Sequence, residues 1–211
     1  MTAAQGGPAV VRPHVWVPGS AAPPLLLLHG TGGDEHDLLP LREHLAPDAP
    51  VLSPRGTVLE NGMPRFFRRL QEGVFDEDDL RARVDELAAF LVAAEAEHDV
   101  AAGSWVAAGF SNGANMASAL LFRRPETLAG SVLLAAMVPF RDGPDPDLDL
   151  TGKRVAVSNG RRDPMATAAH TRTLVAQLRD HGAEVVEFPH DGGHDIDPRT
   201  LPALRAFVAG H

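Results

Sequence analysis

Short apolar runs alternate with longer periodic ones along this chain, and the alternation predicts strands and helices in turn. Leu25 to Leu28 is a continuous apolar run, the pattern of a strand buried on both faces. Val51 and Leu52, Trp105 to Ala108, Ser131 to Ala135, Arg154 to Ser158 and Glu184 to Phe188 read as further strands. Val10 to Val17 reads as an edge strand, because Pro13 interrupts it. Leu80, Val84, Leu87, Ala88, Leu91 and Val92 follow one face of a helix, and Asp76, Asp78 and Asp79 lie near its start, where the helix dipole favours acids. A second helix runs from Asn112 to about Phe122, since Pro125 cannot continue it. A third spans about Ala166 to Asp180, ended by Gly182. The last takes Asp197 as its cap and Pro198 in its first turn, and buries Leu201, Leu204 and Val208.

This order predicts the α/β class, a mostly parallel central sheet with helices on both faces. Two stretches break the rhythm, Ser53 to Asp79 and Phe140 to Lys153. Both follow strands, and ligands of open parallel sheets lie beyond the strands' carboxyl ends, so both are predicted walls of a site. The remaining connections are short, and no separate lid domain is expected.

A length of 211 residues suits one domain over 1–211. Hydrophobic residues at 44% and charged ones at 22% are a globular balance, which argues against disorder. The net charge of −9, with no basic run, makes nucleic acid and anionic membranes poor partners. Cysteine is absent, which excludes disulfides, thiolate metal sites and a cysteine nucleophile. Met1 to Val10 has neither a basic nor an apolar signal region, and the run Leu25 to Leu28 is too short to cross a bilayer. A cytoplasmic location is expected.

Gly109-Phe110-Ser111-Asn112-Gly113 fits the pattern Gly-x-Ser-x-Gly, with an apolar strand running in and an alanine-rich helix running out. That is the setting of a nucleophilic serine on a strained strand-to-helix turn, where a side chain at either glycine would crowd the chain. The alternative is a tight turn with an incidental serine. A serine nucleophile needs a base, and the base an orienting carboxylate, in the chain order Ser, Asp or Glu, His. Of the later histidines, His170 and His181 fall in the third helix and His211 is terminal, which leaves His194 with His190 as its competitor. Asp163, just past the strand Arg154 to Ser158, is the candidate acid, or else a plain cap of the third helix. Asp142, Asp145, Asp147 and Asp149 read as solvated surface charge. An oxyanion needs preorganised amides, and Asn112 and Thr31 are the candidates, Thr31 in the glycine-rich loop after the most apolar strand. That loop lacks a phosphate-binding motif, and His29, His36 and His44 lack metal-ligand spacing. His29 is expected to hold the loop by a hydrogen bond, His36 and His44 to lie on the surface.

With these residues in place the chain resembles the phospholipase/carboxylesterase family, relatives of the acyl-protein thioesterases, and within it the small bacterial carboxylesterases that include hydroquinone-resistance hydrolases. The resemblance runs from about Leu25 to the C-terminus. It rests on His29-Gly30-Thr31-Gly32-Gly33 with Asp37-Leu38-Leu39-Pro40, Leu52-Ser53-Pro54-Arg55-Gly56, Gly62 to Arg69, Glu72 to Asp76, Gly109 to Asn115, Asn159 to Pro164 and Gly192-Gly193-His194. It implies the α/β-hydrolase fold, Ser111 as nucleophile, Asp163 as acid, His194 as base and Thr31 and Asn112 as oxyanion donors, with no cofactor or metal. It also implies that Arg65, Phe66, Phe67 and Met137 line the substrate pocket. The other reading of Phe66, Phe67 and Met137 is ordinary core. Arg65, Arg68 and Arg69 read as a solvated face, the other reading being attraction of an anionic substrate. The thioesterase branch carries leucine where Thr31 stands, so lipid-tail specificity does not transfer. The expected activity is hydrolysis of small esters through an acyl-enzyme. A thioesterase or lysophospholipase, and a binding protein on a hydrolase scaffold, are the alternatives. A dienelactone-hydrolase-like enzyme would need a cysteine. Apolar sheet edges and related enzymes are compatible with a homodimer.

Overall fold

The computed structural model describes residues 12–211. Its elements are β1 (His14–Val17), β2 (Leu25–Leu28), α1 (Leu41–Leu45), β3 (Val51–Pro54), β4 (Val58–Glu60), β5 (Met63–Arg65), β6 (Arg69–Gln71), β7 (Val74–Phe75), α2 (Glu77–His98), β8 (Trp105–Phe110), α3 (Asn112–Arg123), β9 (Leu128–Leu134), β10 (Arg154–Ser158), α4 (Ala168–Asp180), β11 (Glu184–Glu187) and α5 (Leu201–Val208). Seven strands form the main sheet in the order β1-β3-β2-β8-β9-β10-β11, parallel throughout except for β1, which runs antiparallel to β3 at the edge. This is the α/β-hydrolase fold.

Alternation along the strands sorts the core into two layers. Leu26, Leu28, Trp105, Ala107, Leu133, Val155 and Val157 face one way and pack with α2, α3 and α4. Leu25, Leu27, Val106, Ala108, Val132, Leu134 and Ala156 face the other way and meet α1 and α5. All four leucines of β2 are fully buried, which is why that strand reads as an unbroken apolar run. Full burial of one such side chain contributes about 1.5–3 kcal/mol.

Several expectations shift. The edge strand begins only at His14, beyond Pro13, and Val10 and Val11 lie outside the described residues. Val92, assigned to the buried face of α2, is 59% exposed. At about 100° per residue it lies roughly 120° around the helix from Leu80, whereas Leu91 returns to within about 20° of it. Phe90 and Ala94 complete the buried face instead. The third helix starts at Ala168, because the Thr167 side chain caps it by accepting from the His170 amide, and His181 is its C-cap. Ser53 to Asp79 is not a plain loop: it contains two small antiparallel hairpins, β4–β5 and β6–β7. The short helix α1, which buries Leu41 and Leu45, had no sequence reading. No helix among the described residues is long and apolar enough to cross a membrane.

Candidate active site

β8 runs up the middle of the sheet and turns at Ser111 directly into α3. Ser111 has φ 52° and ψ −113°, a positive φ that a non-glycine residue adopts only when its surroundings enforce it. Its amide is tied to the Leu134 carbonyl at 2.9 Å and its carbonyl accepts from the Asn115 amide at 3.0 Å. The flanking glycines are required by contact. A Cβ on Gly109 would lie 2.5 Å from the Gly113 carbonyl oxygen, and one on Gly113 would overlap the carbonyl oxygen of Leu28. The start of α3 therefore packs against the end of β2, which brings the Thr31 loop beside Asn112.

His194 follows β11, in the loop before α5. Its Nε2 lies 2.8 Å from Ser111 Oγ and its Nδ1 2.7 Å from Asp163 Oδ2. A carboxylate on Nδ1 fixes the proton there and leaves Nε2 as an acceptor toward the serine hydroxyl. Asp163 is past β10 with a side chain of 0% exposure, and its Oδ1 accepts from the Met165 amide at 2.7 Å and the Ala166 amide at 2.9 Å. These bonds satisfy a buried carboxylate and aim it. His190, the competing base, is buried elsewhere, its Nδ1 accepting from the Gly192 amide at 3.2 Å. Phe110 packs its ring against that of His194, with centroids 5.3 Å apart.

A cavity of about 30 Å³ opens over Ser111, bordered by Thr31, Asn112, Met137 and His194 among others. Neither the Thr31 nor the Asn112 amide has an acceptor among the described residues, while the neighbouring Gly32 amide is taken by Pro64 at 2.9 Å. Asn112 is at the first turn of α3, where amides have no intrahelical partner. His29 donates from Nδ1 to the Gly30 carbonyl at 2.7 Å and accepts the Gly56 amide on Nε2 at 2.9 Å, the loop-holding role expected of it. Burial lowers its pKa from the ordinary imidazole value, in keeping with that neutral tautomer.

The pocket expectations are corrected in part. Met137 and Arg65 line the cavity, but Phe66 and Phe67 turn into the core beneath it. Phe66 is held there by its amide, which donates to Asn112 Oδ1 at 2.7 Å, and Phe67 by edge-on packing with Phe75. Arg65 is no solvated residue: it is 3% exposed and donates from Nη1 to Thr31 Oγ1 at 2.6 Å. Arg69 also lines the cavity, whereas Arg68 is exposed and pairs with Asp76 and Asp79. Asn115 was not singled out, although it lies one helical turn beyond Ser111 in the same motif. Its Oδ1 accepts the Met137 amide at 2.7 Å and holds the loop after β9 against the site. Among the described residues no three His, Asp or Glu side chains gather into a metal-binding group.

No family model matches the chain. It is 47% identical over 192 residues to the Bacillus subtilis (strain 168) protein named "Putative hydrolase MhqD", covering 91% of this chain and 95% of that one. Among solved structures, a Bacillus cereus carboxylesterase superposes with a TM-score of 0.92 at 43% identity, covering 95% of each chain. A Mesorhizobium loti carboxylesterase does so with a TM-score of 0.82 at 33% identity, over 89% of this chain and 88% of that one. The chain belongs to the family of these hydrolases, the phospholipase/carboxylesterase family of the α/β-hydrolase fold.

Proposed function

We propose that the protein hydrolyses small carboxylic esters through a covalent intermediate on Ser111. The observation that carries this reading is the continuous relay from Ser111 Oγ to His194 Nε2 at 2.8 Å and from His194 Nδ1 to Asp163 Oδ2 at 2.7 Å. His194 takes the hydroxyl proton as Ser111 attacks the ester carbonyl, and Asp163 stabilises the imidazolium that forms. The tetrahedral oxyanion accepts from the Thr31 and Asn112 amides. His194 then gives its proton to the leaving alcohol. In the second half it activates water against the acyl-enzyme, which releases the acid and regenerates Ser111. Thioesters suit the same machinery, but a cavity bordered by Arg65, Arg69 and Asn115 suits short acyl groups better than lipid tails. One catalytic domain built on the seven-stranded sheet, and a cytoplasmic location that the absence of cysteine fits, belong to the same proposal.

Hydrolysis of p-nitrophenyl esters graded from short to long acyl chains tests it, with Ser111→Ala as control. Turnover should be greatest on the shortest chains and fall by about 10⁴-fold or more in the variant, which keeps its fold. Residual turnover near that of the parent in Ser111→Ala would overturn the assignment.

A further inference from the structure

The chain carries a net charge of −9, yet the residues bordering the cavity over Ser111 include two arginines, Arg65 and Arg69, and no Asp or Glu. Arg65 is buried. It donates from Nε to the Phe67 carbonyl at 3.1 Å and from Nη1 to Thr31 Oγ1 at 2.6 Å, and its Nη2 has no hydrogen-bond acceptor among the described residues. Among the described residues Glu60 is the one carboxylate serving both guanidinium groups, at 2.8 Å from both Nε and Nη2 of Arg69 and 3.3 Å from Arg65 Nε. Two cations over one carboxylate leave a positive charge unbalanced at a confined, partly dry site, where electrostatic interactions are strong. Burial lowers the pKa of Arg65, the mark of a desolvated cation. Asn112, across from them at the start of α3, accepts the Phe66 amide on Oδ1 and keeps a buried Nδ2 donor with no acceptor among the described residues. A buried donor left unpaired costs free energy that a ligand oxygen offsets.

Resting on the esterase reading, we propose that the site selects esters bearing a carboxylate a few atoms from the scissile carbonyl, received by the Arg65 and Arg69 guanidinium groups. With Arg65 Nε and Nη1 and Arg69 Nε and Nη2 already engaged, the donors left for the carboxylate are Arg65 Nη2 and Arg69 Nη1, one from each guanidinium. Glu60 sets the strength of the subsite by neutralising one of the two cations.

The test compares monomethyl succinate with methyl levulinate, esters of matched size that differ by one charge, each followed by proton NMR. The expected kcat/KM favours the anionic ester by about tenfold, and Arg69→Gln lowers that preference by about tenfold, mainly through KM for the anionic ester. Glu60→Gln raises it, and raised salt diminishes it. Arg205→Gln, the same loss of charge at an exposed position away from the cavity, leaves the preference as it was. Cleavage of both esters at equal rates by the parent enzyme, or a preference unchanged in both Arg69→Gln and Glu60→Gln, overturns the anionic subsite and leaves the esterase reading standing. Cleavage of neither overturns both together.

Discussion

The rim of the sheet that carries Ser111, Asp163 and His194 and the two-hairpin wall that carries Arg65 and Arg69 face each other across one cavity, held by different physics. On the rim, backbone geometry does the positioning. Each of the three residues follows the end of a parallel strand, and Ser111 is locked by Gly109, Gly113 and the bond from its amide to Leu134. In the wall the strands are two or three residues long, and Leu59 and Leu70 stand 71% and 68% exposed. Single contacts anchor it: Phe66 and Phe67 in the core, the Gly56 amide on His29, the Arg68 amide on Asp79 Oδ2 at 2.7 Å. The rim therefore tolerates little change, while the wall can alter its surface chemistry without moving Ser111. Such a division lets one fold keep its reaction and vary its substrate.

Substitutions on either side sharpen this contrast. Asp163→Asn on the rim removes the charge behind His194 and turns an amide N–H toward groups that are themselves donors. We expect kcat for ester hydrolysis to fall by about 10³–10⁴-fold with the circular dichroism spectrum retained. A loss under tenfold would mean that the carboxylate does not orient the base. Phe67→Ala in the wall deletes a fully buried ring and should cost about 3–5 kcal/mol in denaturant unfolding. Because that ring is core and not pocket, the relative rates on short and long acyl chains should stay as they are in the surviving folded fraction. An altered chain-length preference would return Phe67 to the pocket.

The smallest effect lies at the joint between the two regions. His29 bonds the Thr31 loop through Gly30 and the wall through Gly56, and burial holds its pKa below the ordinary 6.5. A depressed folded-state pKa means that the unfolded chain takes up the proton first. Stability is thus intact above pH 6.5 and declines as pH falls below it, by at most about 1.4 kcal/mol per pH unit from this group. Unfolding by urea at pH 7.5 and pH 5.5 measures the decline, expected to be smaller in His29→Asn, where only other histidines such as His211 still contribute. An equal decline in that variant would assign the pH dependence to other groups.

The same contrast governs what was legible in the sequence. Strands buried on both faces declare themselves, so β2 and β10 match their apolar runs residue for residue. The turn at Ser111 was legible because its steric need admits only glycine at two fixed positions. His190 and His194 could not be separated by spacing alone, since both lie in one loop, and only folding turns one toward Ser111 and the other inward. The wall left no period to read. Its strands mix Arg, Glu and Pro over three residues, too short for a face to emerge. Arg65 reads as solvated on composition, and its burial follows from long-range partners, Thr31 and Glu60, that no local pattern announces. Val92 was lost to the drift of helical phase over twelve residues.

The serine relay is tested most directly by covalent labelling with a serine-directed fluorophosphonate, followed by intact-mass and peptide mass spectrometry. One adduct per chain is expected, on Ser111, with strongly slowed labelling in His194→Ala because the hydroxyl has lost its base. Labelling at another serine, or none on a folded enzyme that still hydrolyses esters, would contradict it.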